Sequence, residues 1–174
     1  MLRPAKTIPE KMIKVDHTGE NGAVNIYRAQ RIGAQLVARD LVPEIMENQT
    51  HEERHRRLFA EQLQTWGVRR CISYHFCGLG GFALGFLTGF LGRQAIHATT
   101  YAVESVVLDH LHHQLEFLRS ADREAHNCVA KIMADEQEHH DSAETNLQQN
   151  QTLNRLLVFI VKLSTKSVIR FGMR

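Results

Sequence analysis

Apolar residues return every three to four positions along most of the chain, the period of helices that bury one face, and runs alternating with period two are sparse. The pattern predicts a first helix over about 9–38, then a turn over 39–43 with Asp40 as candidate N-cap. A second helix follows to about 66, and Gly67 closes it. A third covers about 94–119. After the turn Ser120-Ala121-Asp122 a fourth runs on to about 149, and a fifth covers about 153–173. There are three prolines, the last at 43, so nothing of that kind interrupts the later helices. The expectation is an all-α protein, its 174 residues forming one domain around a four-helix bundle.

The connection between the second and third helices, about 68–92, has a different pattern. From 76 to 92 no residue is charged; glycines recur at 78, 81, 85, 89 and 92, and phenylalanines at Phe82, Phe86 and Phe90. Both series have helical spacing. Such a helix has a smooth glycine face for close packing beside a Phe/Leu face that must be covered. Its length falls short of the ~20 residues of a confident membrane span. A core crossover helix is one reading; a segment dipping into the surface of a lipid bilayer is the preferred one. In the fifth helix Arg155, Lys162, Lys166, Arg170 and Arg174 form a basic stripe beside Leu156, Phe159, Ile160, Leu163 and Ile169. That pattern suits an anionic membrane surface, or equally a solvated face of a packed helix. The two segments together favour peripheral membrane association.

The candidate chemistry lies in an internal repeat. Glu20 precedes the pair Glu52/His55 by 32 residues, and Glu104 precedes Glu136/His139 by the same 32. That is about two helices joined by a turn, so in each half the lone Glu and the pair can meet. Within a pair, i and i+3 share a helix face. The acids also sit on apolar stripes: Glu136 and His139 follow Val129, Ile132 and Met133, and Glu52 and His55 lie between Ile45 and Phe59. Four carboxylates and two imidazoles then converge inside a bundle, the ligand set of ferritin-like di-metal carboxylate proteins. Buried acids facing one another are costly unless cations neutralise them, and two divalent ions match the four charges. A buried network holding shared protons is the other arrangement open to these residues. Oxygen and imidazole ligands without thiolate suit iron or manganese.

Composition removes competing classes. A net charge of +2 with no interleaving of basic and aromatic residues argues against nucleic acid as the partner. Three cysteines at 71, 77 and 128 fit neither a zinc motif nor a disulfide framework, and are expected to be reduced packing residues. The first residues show no secretory signal, which points to a reducing, cytosolic or matrix-like compartment.

Several longer motifs carry a resemblance. Met12-Ile13-Lys14-Val15-Asp16-His17-Thr18-Gly19-Glu20, the Gly-Phe-Ala-Leu-Gly run at 81–85, Ala102-Val103-Glu104 and Asp135-Glu136-Gln137-Glu138-His139-His140-Asp141 resemble the demethoxyubiquinol hydroxylase family, the di-iron monooxygenases of ubiquinone biosynthesis. The resemblance covers nearly the whole chain. It implies the same six ligands, Glu20, Glu52, His55, Glu104, Glu136 and His139, with two iron ions bridged by Glu52 and Glu136. It also implies a polyprenylated demethoxyubiquinol as substrate, O₂ as co-substrate and a ring hydroxylation. Asp16, Asp135, Asp141, His110 and Tyr27 become candidates to stand behind the ligands. Phe82, Phe86 and Phe90 become the expected wall for the prenyl tail and for the membrane. Such an enzyme would lie on the cytoplasmic face of a bacterial inner membrane or the matrix face of the mitochondrial one, where mitochondrial members work with a lipid-binding accessory protein. The chain departs from the family at Ser105, where a second Glu is common, and at Leu111, where Tyr is common after His110. Two rival functions remain, a ferritin- or rubrerythrin-like iron or peroxide protein and a quinone-binding scaffold without turnover.

Overall fold

The computed structural model describes residues 2–173. Among them are seven α-helices: α1 (Ile8–Val37), α2 (Val42–Thr65), α3 (Tyr74–Leu91), α4 (Arg93–Ala121), α5 (Arg123–Ala130), α6 (Met133–Asn146) and α7 (Thr152–Gly172). The protein is an all-α, ferritin-like bundle in which α1, α2, α4 and the α5–α6 pair enclose the centre.

Local chemistry sets most boundaries. Thr7 caps α1 through a reciprocal capping box with Glu10, and Pro9 occupies the first turn. Arg3 clamps the same Glu10 with contacts of 2.5 and 3.0 Å, while its backbone pairs with Gly67 and Arg69. The N-terminal segment is thereby tied across the end of α2. Gly67 closes α2 with φ +64°, a conformation that favours glycine.

Two local expectations fail. Asp40 does not cap α2; it lies in a 3₁₀ turn, Arg39–Leu41, and pairs with Arg93 at 2.6 Å across the α3–α4 corner. An acid with a guanidinium in reach leaves the backbone amides to the 3₁₀ turn. The expected fourth helix is two helices. The chain turns at Lys131–Ile132, where i→i+3 bonds replace the α pattern, and α6 restarts so that Asp135 and Glu136 fall in its first turn. Negative side chains are favourable at that end of the helix dipole.

The glycine face of α3 does what its spacing predicts. It lies parallel to α1, with Gly81, Gly85 and Gly89 directly on the backbone of Gly22, Ile26 and Gln30, so that a Cβ at 85 would stand 2.1 Å from the Ile26 carbonyl oxygen. The opposite face is open: Phe76 is 74% exposed and Leu79 68%. With 28% of its length buried, α3 is not a core crossover helix, although it is long and apolar enough to cross a membrane.

Helix α7 runs parallel to α4. Asn154 bonds Gln94 at one end, Lys162 sits over the Tyr101 ring at 4.7 Å, and Gly172 abuts Val15 at the other end. Lys162 therefore leaves the expected basic stripe for a cation–π contact. Arg155, Lys166 and Arg170 are exposed, and so are Leu156, Phe159, Ile160 and Leu163. Arg174 lies outside the described residues.

Candidate metal centre

Four helices deliver the six repeat residues to one point. Glu20 comes from α1, Glu52 and His55 from α2, Glu104 from α4, Glu136 and His139 from α6, and none is more than 6% exposed. They form two overlapping clusters, Glu20/Glu52/His55/Glu136 and Glu52/Glu104/Glu136/His139, in each of which one donor atom per residue lies within 4.8 Å of the others. Glu52 and Glu136 belong to both, which is the placement of bridging carboxylates.

Both imidazoles turn Nδ1 inward. His55 Nδ1 is 2.9 Å from Glu136 Oε1, and His139 Nδ1 is 3.3 Å from Glu52 Oε1. These four atoms are buried and close to one another, yet none of them has a contact with hydrogen-bond alignment. Buried polar atoms are normally paired, so donors left aimed at a common point fit a pair of cations.

The electrostatics agree. Burial, and then the charges of Glu52 and Glu136, push the carboxyl of Glu20 well above its ordinary value. Burial, and then Glu136 and Glu52, do the same to Glu104. Burial alone would lower His55, but Glu136 and Glu52 raise it to about 10. So many acids in one dry space demand positive charge, which protons or metal ions can supply.

The outer imidazole nitrogens are held from behind. His55 Nε2 lies 2.8 Å from Asp135 Oδ2, whose other neighbour is Arg54. His139 Nε2 lies 3.1 Å from His51 Nδ1, and the two rings stack at 5.3 Å. Each supporting residue immediately precedes a shared Glu and serves the histidine of the other half. Sequence reasoning chose Asp135 and missed His51. The repeat could have found it, since positions 51 and 135 differ by the 84 residues that separate Glu52 from Glu136.

The other candidates separate. Tyr27 donates to Glu104 Oε1 at 3.3 Å; burial, and then Glu104 and Glu52, hold its hydroxyl protonated. Asp141 touches no ligand histidine: it accepts from Gln137 and meets His140 on an exposed face. Asp16 and His110 bond none of the six residues, although the charge of Asp16 adds to the upward push on Glu20, and they meet each other through Gln114.

A cavity of about 630 Å³ reaches the centre from between α3 and α7. Glu20, Glu52, Glu104 and Glu136 lie at its inner end; Gly19, Ala23, Ile26, Val103, Val107 and Leu111 form the throat. Its outer walls are Phe76, Cys77, Gly80, Gly81 and Leu84 of α3 against Ile160, Val161, Val168 and Phe171 of α7. Phe82, Phe86 and Phe90 are not among them. They follow one another along the outer face of α3, Phe82 stacked on Phe86 at 6.4 Å between ring centroids and Phe90 tilted against Phe86 at 4.8 Å, because the helix turns its glycines toward α1. Cysteine usage is as expected: all three are free, and burial followed by nearby Cys71 pushes the Cys77 thiol up to about 11.

Comparison with known proteins adds an independent line. The family model described as ubiquinone biosynthesis protein COQ7 matches residues 7–172. The Dictyostelium discoideum protein named NADPH-dependent 3-demethoxyubiquinone 3-hydroxylase, mitochondrial, is 33% identical over 97% of this chain and 78% of its own length. The Homo sapiens protein of that name is 34% identical over 76% of this chain and 62% of its own, so the aligned chain spans less than two thirds of that relative. The 3-demethoxyubiquinol 3-hydroxylase of Rhodospirillum rubrum is 28% identical over 95% of this chain and 77% of its own.

Proposed function

From the premise that this chain belongs to the ubiquinone biosynthesis protein COQ7 family, we propose that it hydroxylates the ring of a polyprenylated demethoxyubiquinol with O₂ at a di-iron centre held by Glu20, Glu52, His55, Glu104, Glu136 and His139. The chain is a hydroxylase of ubiquinone biosynthesis. The observation that carries the reading of its site is the cavity: an apolar passage that opens between two apolar helix faces and ends on the buried carboxylates of Glu20, Glu52, Glu104 and Glu136.

Bound there, two iron ions would supply the activation of O₂. The chain's own residues do the rest. Asp135 and His51 fix the outward nitrogens of His55 and His139, so that Nδ1 of each ring points inward with its lone pair. Tyr27 holds one oxygen of Glu104. Ile26, Val103, Val107 and Leu111 keep bulk water from the throat, and the small residues of α3 leave room for a flat ring and its tail. The tail remains between α3 and α7, whose exposed Phe, Leu and Ile side chains sit in the bilayer surface with Lys166 and Arg170 at its anionic headgroups. A protein that only stores iron or removes peroxide has no need of this apolar passage.

The deciding experiment reconstitutes the protein with iron, supplies a reductant and demethoxyubiquinol under ¹⁸O₂, and follows the quinol by mass spectrometry. One labelled oxygen in a ring hydroxyl, absent with Glu104→Ala, is the expected result. Peroxide consumption or iron mineral growth with no labelled quinol would overturn it.

A further inference from the structure

Hydroxyl side chains of Ser73, Ser164, Thr165 and Ser167 border the cavity, but its acidic and imidazole side chains lie in two places. One is the ligand cluster. The other is Asp16, four residues before Glu20 on α1, facing His110 of α4. Asp16 is 7% exposed, and its two carboxyl oxygens have different fates. Oδ1 accepts from Gln114 Nε2 at 2.9 Å, and the same amide nitrogen donates to His110 Nε2 at 2.9 Å. His110 itself is 3.6 Å from Oδ1, too far to bond it. Oδ2 is buried with no partner at all.

A buried carboxyl oxygen without a partner calls for an explanation. Support of the ligand histidines does not provide one, since Asp135 and His51 already hold them. Core packing does not either, because an apolar residue of the same shape would avoid the desolvation. What remains is the cavity that Asp16 lines. Four residues along α1 are about 6 Å of rise, comparable to the span of a six-membered ring with oxygens on opposite carbons.

We propose that Asp16 is a positioning residue for the substrate ring: its Oδ2 hydrogen-bonds a ring oxygen, and Gln114 holds the carboxyl for that purpose while His110 steadies the amide. This rests on the quinol reading given above. With one ring oxygen tied at Asp16, a carbon across the ring is turned toward Glu20 and the rest of the cluster, which selects the position that is hydroxylated. A quinol hydroxyl would donate to the ionised carboxylate, and a quinone carbonyl would accept from the protonated acid. Both redox forms are therefore arms of the test.

The test compares the iron-loaded wild type with Asp16→Leu, Asp16→Asn and Gln114→Leu. Calorimetry measures the affinity for a tail-less methoxy-substituted ring, reduced and oxidised, and turnover assays measure KM, kcat and the fraction of reductant recovered as hydroxylated product. Asp16→Leu should keep its iron and unfold at the same temperature or higher, yet bind at least one ring form about tenfold more weakly, a factor typical of one lost hydrogen bond. It should also waste reductant. Asp16→Asn, which can still bond a ring oxygen, should restore most of the binding and the coupling. Gln114→Leu, which leaves Asp16 unsupported, should shift the same readouts in the direction of Asp16→Leu and serves if that variant does not fold. Ring affinity and coupling within twofold of wild type for both forms, in Asp16→Leu or in Gln114→Leu, would overturn the role of Asp16 and leave the hydroxylase reading intact. Loss of ring binding in Asp16→Leu, with no labelled product from any variant or the wild type, would keep the anchor and sink the reaction.

Discussion

Glu52 and Glu136 are chemically ordinary glutamates whose neighbours make them special. Each belongs to both clusters, so if the proposed ions are held there, removing either side chain would subtract a donor from both at once. Glu52→Ala or Glu136→Ala should therefore lose most of the iron, whereas Glu138→Ala, exposed on the outer face of α6, should retain it; iron per chain by elemental analysis decides. Normal iron in both bridging variants would end the di-iron assignment. One layer out, Asp135→Ala and His51→Ala each free an imidazole to rotate, and each should weaken iron binding about 10–100-fold in a chelator competition. The two supports differ in kind: a carboxylate backs His55 and a second imidazole stacks on His139.

At the scale of the element, α3 shows what small side chains are for. Gly85→Ala places a methyl group 2.1 Å from the Ile26 carbonyl oxygen, which neither backbone can yield, and should destabilise the fold by about 1–3 kcal/mol in denaturant unfolding. Gly80→Ala meets nothing within 4 Å and should instead stabilise it by about 0.5–1 kcal/mol through helix propensity. Equal effects at the two positions would contradict the backbone contact. The start of α1 has a pH signature. The Arg3 side chain, with the amides of Lys6 and Thr7, holds Glu10 down to about 2 against the effect of burial, compared with 4.5 for an ordinary Glu. A depressed acid contributes stability that is complete above about 4.5 and is lost as pH falls through about 2. Arg3→Ala should accordingly lower Tm at pH 7, and the difference from wild type should shrink between those two values; a constant difference would mean that the clamp acts by packing alone.

For the molecule as a whole, the question is where the apolar faces of α3 and α7 go. They flank the mouth of the cavity, and together they leave Phe76, Leu79, Phe86, Phe159 and Leu163 exposed. Exposed apolar area of that extent marks an interaction surface. Because Phe86 lies on the outer face and not in the cavity wall, Phe86→Glu separates membrane attachment from the chemistry. It should reduce co-sedimentation with anionic liposomes and slow turnover of a long-tailed quinol, with iron content and turnover of a tail-less ring unchanged. Undiminished co-sedimentation of this variant and of Phe159→Glu would remove the membrane from the account.

The sequence by itself determined the all-helical bundle and the six residues that converge in it, because these follow from periodicity and from an exact internal repeat, both of which are local or countable. The glycine face of α3 was legible for the same reason, since its spacing alone fixes that the small residues share a side. What escaped is what depends on a partner distant in the chain. Asp40 was read as a cap because caps are local, but Arg93 takes it from 53 residues away. The break at Lys131–Ile132 carries neither glycine nor proline, so nothing in the pattern marks it. The phenylalanines read as the tail's wall lie on the outer face, since periodicity says which residues share a side and not what that side meets. The contacts of His51 and Asp16 depend on packing, which set one against an imidazole of the cluster and left the other, on the cavity wall, with a buried oxygen that bonds nothing.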